Sequence, residues 1–188
     1  MASTADFRNG MTLNMDGTLF TILWFQHHKP GKGNTVVRSK LRNVLTGAVL
    51  EKTFRAGDRV EEVRLEHRPV QYSYQDGDLY YFMDQETYDQ IPLMANVIGE
   101  DQLKYLKEGM ECTGLVHGEK IINVELPNFV TLQVVETDPG VRGDTATGGT
   151  KPAKLETGAI VQVPLFLNEG DVIRVDRRED KYMERANK

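Results

Sequence analysis

The sequence predicts an all-β protein made of three small barrels. Three observations carry this expectation. β-rich runs flank turn dipeptides at Asp16-Gly17, Thr46-Gly47 and Asp76-Gly77, the pattern of tight hairpins. Helical periodicity is confined to two short stretches. Many short strands with turn signals between them mark small barrels rather than a parallel sheet with crossover helices.

Along the chain, "MTLNMDGTLFTILWFQ" gives the first hairpin. "VVRSKLRNVLTGAVLEKTF" gives the second, with Val, Leu and Phe alternating against Arg, Lys and Glu. "LEHRPVQ" (65–71), with Pro69, reads as a crossing between units, and "VQYSYQDGDLYYFMD" as the third hairpin. "DQETYDQIP" predicts a short helix capped by Asp84 and ended by Pro92. "EDQLKYLKEG" predicts another, with Leu103 and Leu106 at helical spacing, an acidic first turn and Gly109 as its stop. Strands are expected at Thr113–Val116, Lys120–Glu125, Val130–Glu136, Ala159–Val163 and Val172–Asp176, with "ELPNFV" (125–130) as a second crossing. The resulting segments, 1–64, 65–127 and 128–188, are each near the size at which a domain just folds without staples.

Composition narrows the function. Hydrophobic residues at 39% and charged residues at 27% describe a globular, water-soluble chain. The longest apolar run, Leu19 to Phe25, is too short to cross a bilayer, and no export signal is expected at the N-terminus. The lone cysteine, Cys112, has no His or Cys beside it and reads as a buried structural thiol, so the expected location is the cytoplasm. His27, His28, His67 and His117 lack metal-ligand spacing, and adjacent His27 and His28 point to opposite faces of a strand. No nucleophile elbow or phosphate loop is present, which leaves enzyme readings without a reacting group.

The net charge of −5 is unevenly spread. Residues 1–64 carry ten Lys/Arg against six Asp/Glu, whereas 65–127 carry four against twelve and 128–188 nine against ten. A basic first segment on an acidic chain fits a molecule that meets a polyanion with one part only. Its focus is "HHKPGKGNTVVRSK", which places Lys32 between Gly31 and Gly33, behind Lys29 and Pro30, at a hairpin tip. One reading is a plain turn with solvated lysines. The other is an amine held out on a slim tip that enters a narrow cleft, with Lys29, Arg38, Lys40 and Arg42 touching phosphates without reading sequence.

"FQHHKPGKGNTVVRSKLRNVLTG" and "VELPNFVTLQVVETDPGVRGDTATGGTKPAKLETGAIVQVPLFLNEGDVIRVD" resemble bacterial translation elongation factor P, with similarity from about Phe7 to Arg185. The most specific run is "KPAKLETGAIVQVPLFLNEGD". The resemblance implies an L-shaped, tRNA-mimicking monomer: an SH3-like (KOW-like) barrel, then two OB-type barrels. It implies binding to the 70S ribosome between the P and E sites, bracing of the P-site peptidyl-tRNA, and rescue of synthesis stalled at consecutive prolines. Lys32 would then reach toward the CCA end, extended by a β-lysyl or similar group that a lysine-modifying enzyme attaches. No other cofactor is implied. Gly143, Asp144 and Thr145 match the family loop near the E-site codon, and Tyr182 and Arg185 a pair associated with ribosomal RNA and the anticodon stem. "VDRREDKYMER" departs from the family's usual Thr-Arg-x-Gly turn before that tyrosine.

Related alternatives are the factor-P-like paralogue and the two-domain hypusine-carrying factor, against which the third segment argues. From another class comes a single-stranded RNA-binding OB module, with Tyr72, Tyr74, Tyr80, Tyr81 and Phe82 as stacking candidates. Those aromatics sit in the acidic segment and alternate as core and cross-strand pairs do.

Overall fold

Hairpins laid side by side account for the first sheet. The computed structural model describes residues 1–140 and 149–186. Its first strands are β1 (Ala2–Ser3), β2 (Thr12–Met15), β3 (Thr18–His28), β4 (Val36–Asn43), β5 (Val49–Arg55) and β6 (Arg59–Glu62), with a capped 3-10 turn at Thr4–Asp6. They lie in the order β1-β6-β2-β3-β4-β5. Leu13, Ile22, Val37 and Leu41 are fully buried beneath them with Phe7, Phe20, Phe54 and Val60, a core of the first sheet's own.

The second sheet contains β7 (Glu66–Asp76), β8 (Leu79–Asp84), β9 (Gln90–Met94), β10 (Glu111–His117) and β11 (Lys120–Glu125), ordered β11-β10-β7-β8-β9. Between β9 and β10 run the single-turn helices α1 (Ala95–Ile98) and α2 (Glu100–Leu103). α1 packs against both β9 and β11, filling the gap where the sheet's edges approach. β12 (Phe129–Thr137), β13 (Thr150–Leu155), β14 (Ile160–Pro164), β15 (Val172–Asp176) and β16 (Lys181–Arg185) form a closed barrel ordered β12-β13-β14-β16-β15. The barrel closes through a parallel contact of Gln162 with Lys181.

Several expectations give way. Residues 84–92 form no helix: Asp84 Oδ1 instead accepts the backbone N–H groups of Glu86 (2.8 Å) and Thr87 (3.2 Å), and Tyr88 has a φ of 63°. Local side-chain bonding thus wins over helix propagation. Pro92 sits inside β9, tolerated because β9 is an edge strand of its sheet. Pro69 is not a crossing either. It lies in β7 opposite Thr113, just before β8 begins to pair at Val70, so its missing N–H costs little. The predicted helix over 100–109 shrinks to α2, because the chain turns to drive Tyr105 and Leu106 into the core. β13 hides from pattern reading because its inward positions include Lys151, whose buried ammonium donates to the carbonyls of Asp138 and Leu167.

The second and third segments share one continuous apolar core, from Val70, Phe82 and Tyr105 to Leu132, Leu155 and Ile173. Polar contacts reinforce it. Tyr105 Oη donates to Asp180 Oδ1 at 2.5 Å, Lys104 pairs with the same oxygen at 2.8 Å, and Arg177 donates to the carbonyls of Leu126 and Pro127 at 2.7 Å each.

Acid should weaken this fold in a defined window. Burial would raise the Asp84 carboxyl, but bonds from the Glu86 backbone, Arg68 and the Thr87 backbone outweigh it and hold it below its ordinary value. A carboxyl depressed in the folded state contributes stability above its unfolded pKa, about 3.9, and loses it as pH falls through the folded value. Thermal melts across pH should therefore show stability dropping below about pH 4. Asp84→Asn should lower stability near neutrality and flatten that drop.

Candidate functional site

The hairpin of β3 and β4 is built to hold its tip out. Backbone pairing runs to His28 opposite Val36, leaving residues 29–35 as the connecting loop. Beneath it the rings of Phe54, Phe7, Phe25 and His27 pack edge to face in succession, with centroids 5.2, 6.0 and 5.9 Å apart, a footing that reaches from the core to the loop's base. Above that footing Lys29, Gly31, Lys32 and Gly33 are exposed and Pro30 is half-buried. Lys32 makes no hydrogen bond or ion pair among the described residues. Its ammonium can donate three hydrogen bonds to an approaching acceptor. The two flanking glycines differ: Gly33 has a φ of +129°, which side-chain-bearing residues rarely adopt, while a Cβ on Gly31 would meet open space.

Below the tip, Arg38, Lys40 and Arg42 alternate along β4 with buried Val37, Ser39 and Leu41. Lys40 lies near Glu51 (3.8 Å), and Arg42 turns toward Asp101 of the second segment (3.7 Å). Arg38 keeps its guanidinium exposed, with no ion-pair partner among the described residues. Sequence reasoning missed Trp24 on this same face. An extra residue, Leu23, forms a β-bulge between the Ile22–Leu41 and Trp24–Lys40 pairs, and the slip turns Trp24 from the core side to the cationic side, 43% exposed. The only signal for it was an indole inside an apolar run.

At the far end, Tyr182 is half-buried against the shared core, which raises its phenol pKa, while Arg185 is exposed at the end of β16. The family's missing turn glycine is replaced by Asp180, which takes a φ of 53°. Asp tolerates that region better than most residues, and its carboxylate is held by Lys104 and Tyr105. The hairpin therefore forms without glycine, with Val175 opposite Tyr182. Gly143, Asp144 and Thr145 lie outside the described residues.

Most of the stacking candidates are used in packing, although Tyr74 stays 46% exposed. Tyr72 and Phe82 are buried, Tyr80 packs against the core, and Tyr74 and Tyr81 stack on each other at 4.6 Å. Burial pushes the Cys112 thiol up to about 12, which makes it unreactive. Among the described residues no cluster of metal-binding side chains occurs, and no helix is long and apolar enough to cross a membrane.

A six-stranded sheet bearing a lysine-tipped hairpin is thus followed by a five-stranded sheet and a closed barrel, a three-part β architecture. Residues 3–60 match the KOW-like domain of elongation factor P, 65–124 its OB domain and 130–185 its C-terminal domain. The chain is 55% identical over 186 residues to elongation factor P of Moorella thermoacetica and 56% to that of a Thermoanaerobacter species, covering 99% of this chain and 100% of each relative. It is 55% identical over 185 residues to elongation factor P of Synechococcus elongatus. The chain belongs to the elongation factor P family and is a translation elongation factor.

Proposed function

We propose that the protein binds the 70S ribosome between the P and E sites and restores peptide-bond formation at consecutive prolines by bracing the P-site peptidyl-tRNA. The exposed Lys32, without a partner among the described residues and on a tip footed by packed aromatic rings, carries this reading. Proline attacks through a secondary amine whose ring fixes φ, so successive prolines present both a poor nucleophile and a distorted nascent chain. Alignment of reactants is worth roughly 7–11 kcal/mol in well-oriented systems. Each 1.4 kcal/mol of it that is lost slows the reaction about tenfold. A factor that returns the ester to alignment needs no acid, base or nucleophile of its own.

In this reading the Lys32 ammonium donates to the tRNA backbone near the CCA end, while Lys29, Arg38, Lys40 and Arg42 contact phosphates and Trp24 lies against a sugar or base. Extension of Lys32 by a β-lysyl or similar group, attached by a dedicated enzyme, lengthens a reach otherwise limited to four carbons. Gly143, Asp144 and Thr145 approach the E-site codon, and Tyr182 and Arg185 contact ribosomal RNA and the anticodon stem. The factor works as a monomer in the cytoplasm, where ribosomes are.

The test is synthesis of a peptide with three consecutive prolines in a reconstituted system, with protein from its native host. Acceleration of that peptide, with no change for a proline-free one, is the expected result; intact mass then identifies the group on Lys32. No acceleration removes the reading. Gly33→Val should cut the acceleration at least tenfold, because a β-branched residue cannot hold a φ of +129° without displacing its neighbour Lys32. Normal synthesis with that variant would show that tip geometry does not matter.

A further inference from the structure

The first segment is joined to the rest of the molecule in a different way from the join between the second and third. The latter two share a core, whereas the first keeps a separate one. Besides the strandless residues 63–65, a cluster of polar contacts at and beside the turn between β4 and β5 joins the first segment to the second. There Asn123 of β11, 8% exposed, donates through Nδ2 to the Val44 carbonyl (3.1 Å) and to the Val97 carbonyl of α1 (3.2 Å), while its Oδ1 accepts the Val124 N–H. One amide therefore bolts a turn of the first segment to a helix and a strand of the second. Asn96 adds a bond to the Thr46 carbonyl at 3.4 Å, and Arg42 reaches Asp101.

Gly47 lets the surfaces meet. Its φ is +72°, and a Cβ there would stand 1.9 Å from the Asn96 carbonyl oxygen and 3.0 Å from its carbon. That obstacle is backbone, so no side chain can swing aside to admit even a methyl group. The turn and α1 thus touch at a distance that only glycine permits.

We infer that Asn123 and Gly47 are positioning residues: they form a joint that fixes the direction in which the first segment presents Lys32. Neither touches the tip. β4 runs from the joint to the tip's base, so a rotation at the turn is carried along the strand and amplified at its end. The consequence for activity rests on the role proposed above for Lys32, whereas the joint itself does not. If loosening the joint lowers the fraction of molecules in the competent orientation, the apparent affinity for the ribosome falls by that fraction. The rate at saturation is unaltered.

The experiment uses the full chain with spin labels on Ala56→Cys in the first segment and Ile160→Cys in the third, both exposed, with buried Cys112 left in place. Distances between labels are measured by pulsed electron resonance, well below the melting temperature, in the parent, Gly47→Ala and Asn123→Leu. These two variants attack the joint from opposite sides, so misfolding of one leaves the other to decide. The expected result is one narrow distance in the parent and a broadened or shifted one in the variants. In proline-rich synthesis the concentration for half-maximal acceleration should rise about tenfold, with an unchanged plateau. Parent-like distances in the folded variants overturn the joint. Broadened distances with an unchanged half-maximal concentration overturn its role in aiming Lys32. A parent that fails to accelerate synthesis sinks the reading of Lys32 while the distances still decide the joint.

Discussion

Lys32→Ala abolishes the acceleration of consecutive-proline synthesis and leaves the melting temperature within about 2 °C of the parent. The two halves of this expected result have separate causes. Stability is unchanged because the side chain is exposed and makes no bond within the described protein, and such surface changes usually stay within about 0.5 kcal/mol. Activity is lost because neighbouring cations do not substitute: Lys29 stands earlier in the loop, and Arg38 and Lys40 lie down the strand. Lys32→Arg sharpens the result. It keeps the charge but removes the primary amine to which an acyl group could be attached, so inactivity of both variants points to the modified amine and activity of Arg alone to charge. A fall of several degrees in the melting temperature of Lys32→Ala would make the tip a structural element instead.

The second large effect is on stability. Tyr105 is fully buried and joins the two features that fuse the second and third segments: its ring lies in the shared core and its hydroxyl donates to Asp180. Removing a large aromatic from such a site costs about 3–5 kcal/mol. At about 2–4 °C per kcal/mol for a chain of this size, Tyr105→Ala should melt roughly 6–20 °C lower. Tyr105→Phe keeps the ring and loses only the bond to a charged acceptor, about 1.5–3 kcal/mol. The protein provides its own control. Its single tryptophan, Trp24, sits in the first sheet, so indole fluorescence follows that sheet while circular dichroism follows every strand. Tyr105→Ala should move the dichroism transition well below the fluorescence one. Equal shifts in both would mean that the two cores unfold as one.

What could be read without coordinates was local. The hairpins around Asp16-Gly17, Thr46-Gly47 and Asp76-Gly77 form as expected because strand-forming runs and a turn dipeptide lie within about ten residues of each other, although the expected alternation fails in β5, where only Phe54 is buried. Lys32 at a tip followed from the same reasoning. Features that depend on distant partners stayed hidden. Trp24 turns outward through a bulge that only pairing with β4 reveals, and the Asn123–Val44 bond joins residues 79 apart. Pro69 and Pro92 read as breaks, since nothing in a dipeptide says that a strand has an unpaired side. Asp180 standing in for a turn glycine was likewise legible only through its backbone angle and its partners Lys104 and Tyr105.

The division into two cores also bears on how the chain is made. Every strand of the first sheet lies between residues 2 and 62, so that sheet can finish folding while the rest is still being synthesised. The second sheet has no such independence. Its core continues into residues from Val130 to Val175, and until the third segment emerges from the exit tunnel Tyr105 lacks its partner Asp180. A chain truncated after Pro127 and released therefore carries one sheet with its own core and a second without its partner in the shared core. Such a truncated product should aggregate more readily than the full chain.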